Sequence, residues 1–353
     1  MKFPLKAMKV SVVILNWNAE HLLRQFLPSV VQHSTLTDGD YEVVVADNGS
    51  TDGSLAFVES HFPSVRIIRL PENFGFAEGY NRALAEVDAE YAVLLNDDVE
   101  VTGNWLLPLT AYMDSHPGCA ACQPKLLSWR ERDRFEYAGA CGGYLDRYGY
   151  PFCRGRIFDT VENDHAQYDA PAELLWATGA CLMVRMDDYR QAGGLDGRFF
   201  AHMEEIDLCW RLRLRGCSIA CIPQSAVYHV GGASLAAGNP RKTFLNFRNN
   251  LLMLYKNLPE HELRRVLFVR GLLDIAAAFS FLLKGDRKNF QAVFRARKEY
   301  RRLKATYRPI REANIAAAAS CGNPDLLVPE RQRFSILFRY HLKRHHTYSQ
   351  LGI

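Results

Sequence analysis

Between residues 10 and 95 the hydrophobic period of the chain switches repeatedly, and this alternation limits the fold more than any other feature. Val10–Leu15, Glu42–Ala46, Val65–Leu70 and Tyr91–Leu95 are short strand-like runs. Between them lie Glu20–Val31, with Leu22, Leu23, Phe26, Leu27 and Val30 at helical spacing, then Ser54–His61 and Ala77–Val87. Strands alternating with helices build a mostly parallel sheet with helices on both faces. Right-handed crossovers bring the C-terminal ends of the strands to one edge, where open α/β sheets bind ligands.

Polar clusters sit at those strand ends: NWNAE (16–20), ADNGSTD (46–52), PENFGFAEG (71–79) and NDDVE (96–100). One such cluster is an ordinary turn. Four, all rich in Asn or acids, are more than turns require. In YAVLLNDDVEV (91–101) two aspartates end a run that reads as buried. Buried carboxylates need a positive partner, and a hard cation holding phosphates supplies one. No GxGxxG follows the first strand, where the chain reads LNWNAE, and there is no P-loop or Gly-rich basic loop. A dinucleotide fold and a pyrophosphorylase are thereby disfavoured. What remains is a nucleotide held by Asp and Asn side chains and a metal.

Further motifs follow in order: TGACLMVRM, GGLDGRFFAHMEEIDLCWRLRLRG and VYHVGGAS. Together with VSVVILNWN, VVVADNGSTDGS, PENFGFAEGYNRAL and YAVLLNDDVEV, they resemble family 2 glycosyltransferases. The likeness is strongest to the rhamnosyltransferase-like branch of bacterial cell-surface polysaccharide clusters. It covers about residues 8–260. The resemblance implies a GT-A fold, a nucleotide-diphosphate sugar donor, Mg²⁺ or Mn²⁺, and inversion at the anomeric carbon.

It also implies roles. Asp47 accepts a hydrogen bond from the donor's base, with Asn16 and Asn18 lining the same pocket. Asn73, Gly75 and Asn81 lie near the base and ribose, the glycine letting backbone approach a ligand. Asn96, Asp97 and Asp98 stand where the family has Asp-x-Asp, with Asn in its first place. Asp98 is the expected metal ligand, with Asn96 and Asp97 beside it and His229 as a second ligand. Glu205 is the expected general base, with Glu204 as runner-up. Asp207 is expected to anchor Arg211 at i+4. Trp176, Thr178 and Gly179 are expected on the acceptor side. The QxxRW motif of processive synthases is missing, so one sugar is expected per encounter.

Charge is distributed unevenly. Residues 1–239 carry 20 Lys+Arg against 31 Asp+Glu, a balance of −11; residues 240–353 carry 23 against 8, a balance of +15. Such a basic third suits an anionic partner. Its most apolar stretch, 265–285, is nearly long enough to span a bilayer, yet Arg270 and Asp274 lie inside it. A helix buried on the protein or lying in the membrane interface is expected over a span. The segment 287–308 is basic and amphipathic, which suits anionic lipid. No nucleic-acid module is visible.

The nine cysteines are odd in number and scattered, which reads as reduced thiols in a cytosolic protein. Cys119 and Cys122 lack a second CxxC for zinc. The opening residues give only a short apolar run, so no signal peptide is expected. The expected organisation is a GT-A catalytic domain over 1–240, with a nucleotide-sugar half (8–130) and an acceptor half (131–240). A helical, basic, membrane-associating region then covers 241–353. The expected activity is transfer of one sugar, from dTDP-rhamnose or a UDP-sugar, to a saccharide or lipid-linked acceptor at the cytoplasmic membrane face. The alternatives are an inactive sugar-nucleotide-binding scaffold and a nucleotidyltransferase.

Overall fold

The computed structural model describes residues 8–36, 40–231 and 238–353. Strands β1 (Met8–Asn16), β2 (Tyr41–Asp47), β3 (Arg66–Arg69) and β4 (Ala89–Leu95) are joined by helices α1 (Glu20–His33), α2 (Ser54–His61) and α3 (Gly75–Ala85). Next come β5 (Val99–Val101), α4 (Leu106–Ser115) and β6 (Cys119–Ser128). A separate antiparallel sheet holds β7 (Gly143–Leu145), β8 (Pro151–Cys153), β9 (Arg156–Ile157) and β10 (Thr160–Val161). The main sheet is completed by β11 (Ala172–Glu173), β12 (Cys181–Arg185) and β13 (Ser218–His229), with α5 (Met186–Gln191) and α6 (Glu204–Leu214) preceding β13. The remaining helices are α7 (Pro240–Asn257), α8 (Glu260–Leu283), α9 (Arg287–Leu303), α10 (Arg308–Ser320) and α11 (Ile336–His341).

The main sheet runs β11-β13-β6-β12-β4-β1-β2-β3, with β5 paired to β13. β4, β1, β2 and β3 are mutually parallel, and β6 is parallel to β13, whereas β12 is antiparallel to both β4 and β6. Six strands therefore end at one edge, and the reversed β12 begins there. Register aligns Asn16 with Asp47, and Leu95 with both Ile14 and Cys181.

The period of two along β1 sorts its side chains between two cores. Val12 and Ile14 pack with Leu23 and Leu27 of α1, Val58 of α2 and Leu109 of α4. Val13 faces the other core, with Tyr80 and Leu84 of α3, Leu208 of α6 and Leu251, Met253 and Leu254 of α7. The boundary expected at 240/241 falls at the start of α7, and the core runs across it. CAACQP opens β6 rather than ending a strand, and both of its cysteines are buried free thiols.

An ion network ties α6 to α7. Asp207 is fully buried and accepts from Arg211 Nε (2.9 Å), Lys256 Nζ (2.7 Å) and Asn257 Nδ2 (2.9 Å). Lys256 also donates to Asp196 at 2.8 Å. Burial opposes the Asp207 charge, but Lys256 and Arg211 more than offset it and hold the carboxyl below its ordinary value. Removing one member strands buried charges on the others. Asp207→Ala is expected to destabilise the chain by about 3–5 kcal/mol, read as a lower urea midpoint; an unchanged midpoint would show that α7 docks without this network.

Candidate active site

The first strand end is a mesh of amides around one carboxylate. Asp47 is buried at the end of β2; its Oδ1 accepts from Asn16 Nδ2 (3.1 Å) and its Oδ2 from the Ser50 N–H (3.1 Å). Asn16 also donates to Ser50 Oγ at 3.0 Å, and its own Oδ1 is buried without a partner. Asn18 adopts φ 50° and accepts the Thr51 N–H at 2.7 Å. Asn73 Oδ1 accepts the Gly75 N–H (2.8 Å) and Asn48 Nδ2 (3.2 Å), and Asn48 also bonds the Gly75 carbonyl and the Phe74 N–H. The loops after β2 and β3 are thus fixed to each other.

The second group forms where β5 pairs antiparallel with β13. That register sets His229 opposite Val99, beside Asp98. His229 Nε2 lies 3.0 Å from Asp98 Oδ1, and its Nδ1 lies 3.4 Å from Glu136 Oε2. The Gly231 N–H donates to Asp98 Oδ2 at 3.2 Å. Burial disfavours charge on His229, but Glu136 and Asp98 on either side prevail and raise the imidazole to about 10. Burial would raise Asp98, but His229 and the Gly231 N–H hold it below its ordinary value. For Asp97 burial, then the charge of Asp98, outweigh the pull of His229 and push it up to about 7. Asn96 links this group to β12, its N–H donating to the Ala180 carbonyl (3.0 Å) and its Nδ2 lying 3.4 Å from His229 Nε2.

The third group is the start of α6. Three non-glycine residues just before it, Phe200, His202 and Met203, have left-handed backbones with φ of 66°, 70° and 72°. Each such residue costs about 1–3 kcal/mol of strain and persists only where its surroundings hold it. Here α7 and α3 do so. Asn249 Nδ2 donates to the carbonyls of Phe199 (3.0 Å), Ala201 (3.0 Å) and His202 (2.8 Å), and the Phe200 carbonyl accepts from Phe76 and Ala77 N–H. The clamp presents Glu204 and Glu205, each with Oε2 buried and unpartnered. A Cβ built on Gly179 would lie 3.7 Å from Glu205 Cβ and 3.1 Å from Phe76 Cζ. Glu205 therefore adjoins Gly179, one residue from the Ala180 that bonds Asn96.

The two carboxyls differ in their acidity. Burial and then the charge of Glu205 push Glu204 well above its ordinary value, and burial pushes Glu205 up to about 7. Two coupled acids with separated titrations suit different tasks. Glu205 is thereby poised to exchange its proton near neutral pH, and burial with the Glu205 charge disfavours ionisation of Glu204.

Four sequence expectations are corrected by placement. Trp176 is buried, with Nε1 donating to the Tyr144 carbonyl (3.0 Å) and its ring against Gly143, so it offers no face to a sugar. Thr178 is buried against Gly139, with its N–H on Gln123 Oε1. Asn81 is spent on Leu195 and Tyr189, accepting from both and donating to the Leu195 carbonyl. Gly75, at φ +78°, makes room for the Phe200 ring rather than for a ligand; a Cβ there would fall 2.5 Å from Phe200 Cδ2. Asn16, Asn18, Asp47 and Asn73 lie together at one end of the edge. Asn96, Asp97, Asp98, His229, Gly179, Glu204 and Glu205 lie along the rest.

The sequence reading passed over Glu136, Asn48, Phe76, Phe200, His202 and Asn249. Asn249 and Asn250 interrupt an apolar helical stretch, a polar signal that could have been read; Glu136 lies in an aperiodic loop and gave none. His202 has an unpartnered Nε2, and burial followed by the Lys242 charge lowers its imidazole to about 4.

A model of glycosyl transferase family 2 matches residues 11–156, the span that runs from within β1 to the start of β9 and includes the Asp97–Asp98 pair. The chain is 28% identical over 236 residues to the N-acetylglucosaminyl-diphospho-decaprenol L-rhamnosyltransferase of Mycobacterium tuberculosis (strain ATCC 25618 / H37Rv), covering 62% of this chain and 75% of that protein. The chain is a glycosyltransferase that matches family 2 over residues 11–156. The transferase is also 23% identical over 281 residues to the rhamnosyltransferase WbbL of Escherichia coli (strain K12), covering 76% and 99%. Its fold matches S. aureus TarS 1–349 in complex with UDP-GlcNAc at a TM-score of 0.56 and 16% identity, over 90% and 88% of the chains. It also matches GalNAc-T7 with UDP, GalNAc and Mn²⁺ at 0.58 and 15%, over 74% and 50%. The expected GT-A fold of the transferase is thus established, sheet and C-terminal helices included.

Asn249→Leu tests the clamp. It removes the donor to three carbonyls at the entry to α6 and is expected to lower kcat by roughly 10–100-fold. The donor KM should hold, because the amide mesh around Asp47 lies at the other end of the edge. An unchanged kcat would show that α6 keeps its position without Asn249.

Proposed function

We propose that the transferase moves one sugar, with inversion at the anomeric carbon, from dTDP-rhamnose or a UDP-sugar to a saccharide or lipid-linked saccharide. The setting is cell-surface polysaccharide synthesis at the cytoplasmic membrane face. One observation carries the reading: along a single sheet edge the fold sets a buried Asp47 in an amide mesh, the Asp98–His229 pair, and Glu205 with its Oε2 buried and unpartnered. The rhamnosyltransferase relatives support the donor class.

Asp47, with Asn16, Asn18 and Asn73, suits the base and ribose; a carboxylate accepts the imide N–H of uracil or thymine. Asp98 would hold Mg²⁺ or Mn²⁺, joined by His229 once its imidazole gives up the proton held between Asp98 and Glu136, with Asn96 and Asp97 beside the diphosphate. The fit rests on Asp97, whose carboxyl is driven up by burial and then by the charge of Asp98, more than His229 offsets. Among the described residues no cluster of three or more His, Cys, Asp or Glu side chains could hold a metal ion. Oxygens of the diphosphate would therefore complete the shell, as suits Mg²⁺. Bound there, the ion neutralises charge on the departing diphosphate.

Glu205 removes the proton of the acceptor hydroxyl as that oxygen attacks the anomeric carbon from the side opposite the diphosphate. Burial and the Glu205 charge disfavour a negative charge on Glu204, which limits crowding of the base. The reaction is tested by incubation with dTDP-rhamnose or UDP-sugars, Mn²⁺ and a lipid-linked saccharide, reading the anomeric configuration by NMR. Inversion is expected. Retention, or donor binding with no transfer to any acceptor, would overturn the proposal.

A further inference from the structure

Helix α8 is built inside out for a protein in water. From Val266 to Leu283 its only charged side chains are Arg270 and Asp274, and both are buried against the protein. Arg270 lies 3.1 Å from Asp274, donates to the Tyr148 carbonyl at 3.2 Å and stacks over Tyr150. Arg297 of α9 closes the cluster on Asp274 at 2.5 Å. The outward side carries Phe268, Leu272, Ile275, Phe279, Leu282 and Leu283, all exposed, with Phe268 at 69% and Leu283 at 89%. Eighteen residues of helix give an uncharged outward surface about 27 Å long, and contiguous apolar surface on this scale marks an interaction site.

Both ends of the stripe are basic. Arg264 and Arg265 flank the first, and Lys284, Arg287 and Lys288 the second, all exposed. Glu260 and Glu262, the acids at the first end, are taken up by Arg311 and Arg331. There α8 also borders a cavity of ≈980 Å³ lined by Arg147, Arg265, Arg331 and Arg333, with Glu262 and Asp325 as its acids. A second copy laid along the stripe would set cations against cations in either orientation. An apolar body rimmed by cations instead matches an anionic bilayer surface, with acyl chains beneath and phosphates at the rim.

We propose that α8 lies flat in the interface of an anionic phospholipid bilayer and inserts Phe268, Leu272, Ile275, Phe279 and Leu282. By length and composition α8 could cross a membrane. Crossing would strip Arg270 and Asp274 of Arg297 and the Tyr148 carbonyl and place both charges in hydrocarbon. This deepens the reading of a membrane-borne acceptor and takes its biological purpose from it.

The test is sedimentation of the full chain with phosphatidylglycerol/phosphatidylcholine vesicles, without donor or acceptor, so that its failure is separate from a failure of sugar transfer. Binding that weakens with salt and comes off in alkaline carbonate is expected. The triple variant Phe268→Ser/Leu272→Ser/Phe279→Ser alters exposed positions only, and should keep its unfolding temperature while losing at least about tenfold in partitioning. Lys284→Glu/Arg287→Glu/Lys288→Glu should weaken binding and flatten its salt dependence. Unchanged partitioning in the triple serine variant would overturn the proposal, as would resistance to carbonate, which marks a span. So would a dimer in sedimentation velocity that the serines dissolve, with no vesicle binding by the wild type.

Discussion

Glu205→Gln is expected to abolish transfer and to stabilise the protein. The amide keeps the size of the side chain but cannot take a proton, and general-base catalysis is worth about 10²–10⁴-fold. The donor KM should stay within about twofold, since Glu205 lies with Gly179 and Phe76 and not with the Asp47 mesh. The sign of the stability change follows from linkage. Burial raises Glu205 from its ordinary 4.5 to about 7 in the folded chain, so near pH 5–6 the fold binds a proton that the unfolded chain releases. That stability is present below pH 4.5 and is lost as pH rises through 7. A permanently neutral Gln escapes the loss. At pH 8 the variant should be more stable by on the order of 1–3 kcal/mol, seen as a melting point a few degrees higher, and at pH 4 the two should converge. In the wild type kcat/KM should fall below about pH 7 as the base is protonated. A variant with full activity would remove Glu205 from the reaction. Lost activity with no gain in stability at pH 8 would mean that its carboxylate has a partner in the fold.

Asp98→Ala is expected to have the other large effect, lowering kcat on the order of 10³-fold. This corresponds to the several kcal/mol that neutralising a leaving group's charge supplies. EDTA should produce the same loss in the wild type and no further loss in the variant. The nucleoside diphosphate should bind the wild type more tightly with Mn²⁺ than without, by about tenfold or more, and bind the variant equally in both conditions, as calorimetry can read. Folding should survive, because Glu136 still faces His229 from the other side. Full activity in Asp98→Ala, or activity indifferent to EDTA in the wild type, would remove the cation from the account.

The two halves of the edge were unequally legible in the sequence. β1 to β4 and their helices could be placed within one or two residues at most ends, because each is a local periodic segment and each polar cluster closes its own strand. The same locality put Asp47 and Asp98 at strand ends and revealed the pairing of Asp207 with Arg211. Failures came where a residue's surroundings are distant in the chain. Trp176 and Thr178 lie in a motif that reads as acceptor-facing, yet Gly143, Tyr144, Gly139 and Gln123 enclose them. Gly75 reads as a ligand glycine, but the ring it accommodates is 125 positions away. Glu136 reaches His229 from an aperiodic loop, and Asn249 holds the entry to α6 from a helix that composition alone assigns to a separate basic region. Spacing along a chain records which residue ends an element, and it does not record which neighbour arrives there.

The proposed arrangement sets a base and a diphosphate-gripping cation on opposite sides of the same sugar. It is tested most directly by a crystal structure of Glu205→Gln with an uncleaved nucleotide-diphosphate sugar and Mn²⁺. The expected result is manganese on Asp98 and His229, the nucleobase at Asp47, and Gln at 205 facing the anomeric carbon from the side away from the diphosphate. Manganese bound elsewhere, or residue 205 on the diphosphate side of the sugar, would contradict it.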